Sequence, residues 1–222
     1  MREAFLFFIL HLFIYPVSAQ DIDPLWTKAQ TVMQLNKALV AADIYSVFVL
    51  DGDSERVDGK YKTVISGWEN GEPVRTLSEQ TESSKKSFKL NKSDMHIATS
   101  LANHPADFFQ SANTVVRLED KSLQGKLWAV MQISSSGAKG GGPYRAMVWL
   151  DPATGNPLKA DVILEKILMH GVKTAHFLLL FDSDKEGRVL PKEIWLDYEM
   201  VILFRKAKMS FKQTISAWKP RQ

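Results

Sequence analysis

The sequence predicts an α+β fold in which a curved antiparallel sheet is covered on one face by helices. The strongest observation is a run of hairpins from Tyr144 onward. Strand-like segments at 144–150, 158–168, 173–181, 193–204 and 209–218 are parted by turn chemistry at Asp151–Pro157, His170-Gly171 and Asp182–Gly187. A meander of this kind curves, and its concave face either packs against helices or binds something. A second observation is the alternation Ile194, Leu196, Tyr198, Met200, Ile202, Phe204, with Asp197, Glu199 and Arg205 on the other side. That is strand period with one apolar face, and the even-numbered face should look inward. A third is a helix signal: Asp23 as N-cap, Pro24 at the first helical position, then Leu25, Ala29, Val32, Met33 and Leu39 as an apolar stripe broken by Asn36.

Residues 1–19 read as a secretory signal. Arg2 is a weak basic start, Ala4–Tyr15 is apolar apart from His11, Pro16 ends any helix, and Val17-Ser18-Ala19 supplies the small residues for cleavage after Ala19. The apolar run is shorter than the roughly 20 residues a bilayer span needs. The expectation is therefore export to the periplasm, with 20–222 forming one domain. With no cysteine in the chain, disulfides, thiolate metal sites and a lipid-modified cysteine are all excluded. The net charge of +3 is mild and gives no reason to expect nucleic acid.

After the first helix, 44–50 and 60–68 read as strands joined by a polar loop at 51–59, with another strand at 73–80. Residues 81–92 are polar and lysine-rich, an exposed strand pair or a loop. Ser93–Ala102 reads as a short helix with Met95, Ile97 and Leu101 on its apolar side, stopped by His104-Pro105. Phe108 and Phe109 follow; adjacent residues of a strand face opposite sides, so one of them should leave the core, as loop packing or as part of a lid. Strands at 113–119 and 126–133 then lead through the glycine-rich 134–143 into the meander. The basic residues Arg205, Lys206, Lys208, Lys212, Lys219 and Arg221 fit lysines guarding a sheet edge, or a docking patch for anionic lipid or an acidic partner.

The sharpest local motif is Asp182–Glu193, which sets Asp182, Asp184, Glu186 and Glu193 at the ligand positions of a calcium loop with Gly187 at its turn. The strand period on its C-terminal side is incompatible with an exiting EF-hand helix, so it reads as an acidic hairpin tip without metal. The glycine-rich 134–142 lacks the spacing of a phosphate cradle, and His96, His104, His170 and His176 match no zinc spacing. No nucleophile elbow is present, and no catalytic residue or cofactor is expected.

The segments Met147-Val148-Trp149-Leu150-Asp151-Pro152-Ala153-Thr154-Gly155-Asn156-Pro157-Leu158-Lys159 and Gly187-Arg188-Val189-Leu190-Pro191-Lys192-Glu193-Ile194, with a closing strand pair ending at Phe211–Trp218, resemble the outer-membrane lipoprotein-sorting superfamily of LolA/LolB/RseB-like proteins. The resemblance implies a half-open, strongly curved antiparallel sheet, an incomplete barrel, with the N-terminal helix and short lid helices on its concave side. It also implies that the concave face accepts acyl chains. Apolar residues placed toward such a cavity and lid are Phe48, Ile65, Met95, Ile97, Leu101, Phe108, Phe109, Met131, Val148, Leu178, Leu196, Tyr198, Met200, Ile202 and Phe204. The function expected is a non-enzymatic, monomeric periplasmic carrier of lipid or lipoprotein acyl chains, meeting an inner-membrane transporter or an outer-membrane acceptor. The alternative is an envelope-stress sensing or protein-interaction module on the same fold.

Overall fold

The computed structural model describes residues 22–52, 56–82, 99, 102–104, 106–136, 143–164, 172–202 and 205–222. In chain order the elements are α1 (Pro24–Leu35), β1 (Leu39–Gly52), β2 (Arg56–Glu69), β3 (Glu72–Glu82), α2 (Asp107–Gln110), β4 (Thr114–Arg117), β5 (Lys121–Leu123), β6 (Lys126–Ser135), β7 (Tyr144–Leu150), β8 (Pro157–Leu164), β9 (Val172–Ser183), β10 (Val189–Ile202) and β11 (Arg205–Pro220). They form an 11-stranded sheet in the order β3-β2-β1-β11-β10-β9-β8-β7-β6-β4, with β5 pairing β6. The edge strands β3 and β4 do not meet, so the sheet is curved but not closed into a barrel. The meander read from β7 to β11 is present. What joins it to the rest is the long pairing of β1 with β11, from Leu39 opposite Pro220 to Gly52 opposite Ala207.

Helix α1 begins where Asp23 Oδ1 accepts the Leu25 amide at 2.7 Å. Its buried side is Leu25, Trp26, Ala29 and Met33. At its C-cap the buried Asn36 donates from Nδ2 to Val32 O at 3.3 Å and to Val189 O at 3.0 Å, tying the helix end to β10. Leu39, placed on the helical stripe by its spacing, instead opens β1, because the chain turns at 36–38. The first turn of the helix rests on the β7–β8 turn. Gly155 has φ +77°, and a Cβ there would lie 2.7 Å from Lys28 Cβ and 3.1 Å from the Ala29 nitrogen. Only glycine allows both that conformation and that approach.

Several expectations change. The loop read at 51–59 is mostly strand, since β1 runs to Gly52 and β2 starts at Arg56. Phe108 and Phe109 lie on the helical turn α2 and not on a strand, so both point inward, at 7% and 0% exposure. The basic β11 is not an edge: it lies between β1 and β10. Its lysines are held on the outer face, with Lys212 Nζ 3.0 Å from Glu193 and 4.6 Å from the Trp195 ring centroid, and Lys219 over Trp68. The tip at Asp182–Glu193 is a hairpin between β9 and β10, and both flanks are strands. Asp184 Oδ1 accepts the amides of Glu186 and Arg188, Asp184 Oδ2 takes the Arg188 guanidinium, and Asp182 takes Lys192. Among the described residues no cluster of acidic and histidine side chains could hold a metal ion. No described helix is long and apolar enough to cross a membrane.

Candidate functional site

Directly opposed residues of a sheet share a face, so the strand registers sort the interior into transverse rows. One row runs Tyr61, Ser46, Gln213, Ile194, Leu179, Ala160, Val148, Met131 from β2 to β6. The next runs Gly59, Phe48, Phe211, Leu196, Phe177, Val162, Ala146, Ile133. The two halves of these rows meet different fates.

Over β6–β9 the interior is filled by helices. Trp26 of α1 stacks on Phe109 of α2 at 5.4 Å between centroids, Phe109 meets Phe181 edge-on at 5.8 Å, and Phe108 stacks on Tyr144 at 5.5 Å. Ala129, Met131, Ile133, Val148, Leu150 and Ala160 close the cluster from below, each at 1% exposure or less. Tyr144 donates to Phe108 O at 3.0 Å and its hydroxyl lies 2.7 Å from Ser111 Oγ, which holds α2 on β7. Burial raises the Tyr144 pKa, so the phenol stays protonated and available as donor. Gln30 Nε2 donates to Phe109 O at 3.0 Å and joins the two helices.

Over β1, β2, β10 and β11 the larger apolar cluster comes, among the described residues, from strands. Phe48, Tyr61, Leu196, Met209 and Phe211 form one cluster with Ala175 of β9, and Leu50, Leu164, Phe177 and Tyr198 pack against it. Phe211 is the hub, with centroids 6.2 Å from Phe48 and 6.0 Å from Tyr198. The Phe48 ring occupies the place that a side chain at Gly59 would take; a Cβ there would be 2.5 Å from the ring. Neither α1 nor α2 contributes to this cluster. Beyond it lies a smaller apolar group, Ala41, Ile44, Ala102, Ile194 and Ile215.

Between these apolar groups sits a band of polar side chains. Ser46 lies opposite Gln213 and Tyr61, and Thr63 lies opposite Ile44. Ser46, Gln213 and Thr63 are 2%, 2% and 0% exposed. Ser46 Oγ, Thr63 Oγ1 and both amide heteroatoms of Gln213 make no hydrogen bond among the described residues. Each such buried atom costs about 1–3 kcal/mol relative to a paired one, so an apolar substitute of similar shape would be the more stable choice.

At the β3 end, arginines tie the chain segment around Asn103 to the sheet. Arg75 donates to Asn103 Oδ1 from Nε at 3.1 Å and from Nη2 at 2.9 Å, and also bonds the carbonyls of Ala41 and Ala42. Burial of the guanidinium pulls its pKa down to about 10, against the opposite pull of Asp43, so it remains charged at neutral pH. Arg221 donates to Gly71 O at 3.0 Å, Glu72 Oε1 at 2.8 Å and Asn103 O at 2.7 Å. Ala102, Asn103 and Thr99 are buried, and Ala102 packs into the smaller apolar group.

Of the residues placed toward a cavity by sequence, Phe48, Leu196 and Tyr198 are brought together in the strand-only cluster. Phe108, Phe109, Met131 and Val148 lie together in the helix-filled core. Ile65 is half-buried on β2 opposite Arg75. Leu178 faces the outer side, paired with Trp195 and Asp161, because Ala175, Phe177, Leu179 and Phe181 take the inner positions of β9. Met200 and Ile202 lie on β10 opposite Ala207 and Arg205. Met95, Ile97, Leu101 and Phe204 fall outside the described residues. Sequence reasoning missed Tyr61, Met209, Phe211, Arg75 and the polar band. Phe211 and Met209 were visible as alternating apolar positions of the last strand, whereas Arg75 and Ser46 carry no local signal.

No protein-family model and no curated protein matches the chain. Solved structures that it resembles include a domain described as an outer membrane lipoprotein-sorting protein from Vibrio parahaemolyticus, at 13% identity over 88% of this chain and 93% of that one, with a TM-score of 0.37. A DUF1329 family protein from Desulfovibrio piger aligns at 12% identity over 88% and 91%, with a TM-score of 0.40. The Mycobacterium tuberculosis lipoprotein LppX aligns at 11% identity over 90% and 98%, with a TM-score of 0.32. At these identities the likeness says nothing of activity.

Proposed function

We propose that the chain is an exported, non-enzymatic carrier that holds the acyl chain of a lipid or lipoprotein against the inner face of β1, β2, β10 and β11. The observation that supports this reading is the division of the interior. Helices α1 and α2 fill the β6–β9 half with aromatic side chains, and the apolar cluster centred on Phe211 receives neither of them. Aromatic rings with Met209 and Leu196 make an adaptable surface for methylene chains. Each buried methylene contributes about 0.8 kcal/mol, so a modest length of chain gives useful affinity without a charged contact. The resemblance of Met147–Lys159 and Gly187–Ile194 to the sorting superfamily points the same way, and the signal-like composition of residues 1–19 supports a periplasmic location.

Native mass spectrometry of protein purified from the periplasm without detergent tests this. The expected result is a mass excess that extracts as acyl lipid and is displaced by an analogue whose acyl chain carries a fluorophore on a neutral glyceryl ester. An apo mass together with no uptake of the analogue would overturn the reading.

A further inference from the structure

Resting on the carrier reading, we propose that Ser46, Thr63 and Gln213 form a hydrogen-bonding subsite for an uncharged acyl ester or amide, so that the ligand class is a neutral amphipath and not a free fatty acid or a hydrocarbon. The subsite is built into the sheet. Ser46 and Gln213 are opposed across β1 and β11, with side chains about 5 Å apart at their Cβ atoms. Thr63 stands one strand over, beside Ile44. All three are more than nine-tenths buried, and their hydroxyls and amide atoms are unpartnered among the described residues.

The chemistry of the set selects the ligand group. Two hydroxyls and a carboxamide offer donors for a carbonyl oxygen, and the Gln213 Oε1 accepts from an N–H or O–H beside it. No described charged side chain faces this row. Its neighbours on the inner face are Ile44, Phe48, Tyr61, Phe211 and Ile194, and the guanidinium of Arg75 on β3 is already bonded to Asn103 and to backbone carbonyls. A carboxylate or phosphate placed here would be desolvated without a counter-charge. An ester or amide linkage loses little by entering, since each of its polar atoms finds a partner. The subsite also adjoins the Phe48–Phe211 row directly, so an acyl chain attached to that carbonyl runs onto the aromatic cluster.

The test compares 1-monooleoylglycerol, oleate and 1-octadecene as ligands for the full chain and for Ser46→Ala and Thr63→Val/Gln213→Met, each checked by circular dichroism and thermal melting. The wild type should prefer the ester to the alkene and to oleate by about tenfold or more. The double variant should lose that preference, bind the alkene as before, and melt no lower than wild type, because it removes unpaired buried atoms. Ser46→Ala, the smaller change, should lose part of the preference. Unchanged ester preference in the variants would overturn the subsite. So would a lowered melting temperature with unchanged binding, which would show that these atoms serve the fold through buried water. Equal wild-type binding of all probes would overturn the subsite while leaving the carrier intact. Binding of none would overturn both.

Discussion

At Arg75 one guanidinium reaches from the edge strand β3 to Asn103 and to the backbone of β1. Arg75→Met keeps the aliphatic stem but leaves Asn103 Oδ1 and the Ala41 carbonyl without that donor. The expected cost is about 1.5–3 kcal/mol, the range for hydrogen bonds to a charged group, and amide exchange at 102–104 should accelerate. An unchanged melting temperature with unchanged exchange would rule out the tie. Asp151 gives a pH prediction. Its Oδ2 lies 2.6 Å from Lys126 Nζ and its Oδ1 accepts the amides of Ala153 and Thr154, which lower its pKa from 3.8 to about 2. A folded-state value below the unfolded one stabilises above pH 4 and is lost as pH falls toward 2. The melting-temperature advantage of wild type over Asp151→Asn should thus be full at pH 7 and vanish near pH 2. Because Lys126 is half-exposed, added salt at pH 7 should trim that advantage. A gap that persists at pH 2 would contradict the assignment. Neither role was legible beforehand. An arginine in a polar strand has no periodic partner, whereas Asp151-Pro152 was readable as a turn though not as a capping and ion-pairing one.

Among the elements, α1 shows how a local signal and a distant contact combine. Asp23-Pro24 and the spacing of Leu25, Ala29 and Met33 were enough to place the helix, since capping and 3.6-residue periodicity are local. Its seat on the β7–β8 turn was not, because the close approach of Gly155 to Ala29 joins residues far apart in sequence. Gly155→Ala should combine left-handed backbone strain, about 1–2 kcal/mol, with a clash against the α1 backbone that no rotamer change relieves. The helix should shift. The check is the difference in fluorescence and near-ultraviolet circular dichroism between each protein and its Trp26→Phe counterpart, which isolates the Trp26–Phe109 stack from the other five tryptophans; a variant with wild-type difference spectra and stability would show that the turn does not position α1. The β9–β10 hairpin illustrates the opposite limit. His176–Phe181 is apolar on both faces, so alternation cannot say which parity is inward, and Leu178 and Leu179 were interchangeable on paper. The outer pairing of His176 with Asp161 at 2.6 Å fixes Leu179 inside.

For the whole molecule the decisive pairing is β1 with β11, which sets the first strand beside the last in the middle of the sheet and, among the described residues, builds the Phe211 cluster from strands. Strand existence is a local property and was largely readable, but the choice of partner is not, since any exposed strand edge offers the same backbone groups. The polar band is a product of that choice: Ser46 and Gln213 become neighbours only when β1 and β11 pair. This arrangement predicts two mechanically different halves. The β6–β9 half, plugged by Trp26 and Phe109 and tied by Tyr144, should open only near the global limit, whereas the strands around the Phe48–Phe211 cluster, which takes no side chain from α1 or α2, should exchange faster. Adding a neutral acyl ester should therefore slow exchange chiefly along β1, β2, β10 and β11 and leave β6–β8 as before, because ligand binding stabilises the residues it orders. Hydrogen–deuterium exchange with and without 1-monooleoylglycerol reads this directly. Protection confined to β6–β8, or spread evenly over the sheet, would place the ligand elsewhere and refute the assignment of the Phe211 cluster as its seat.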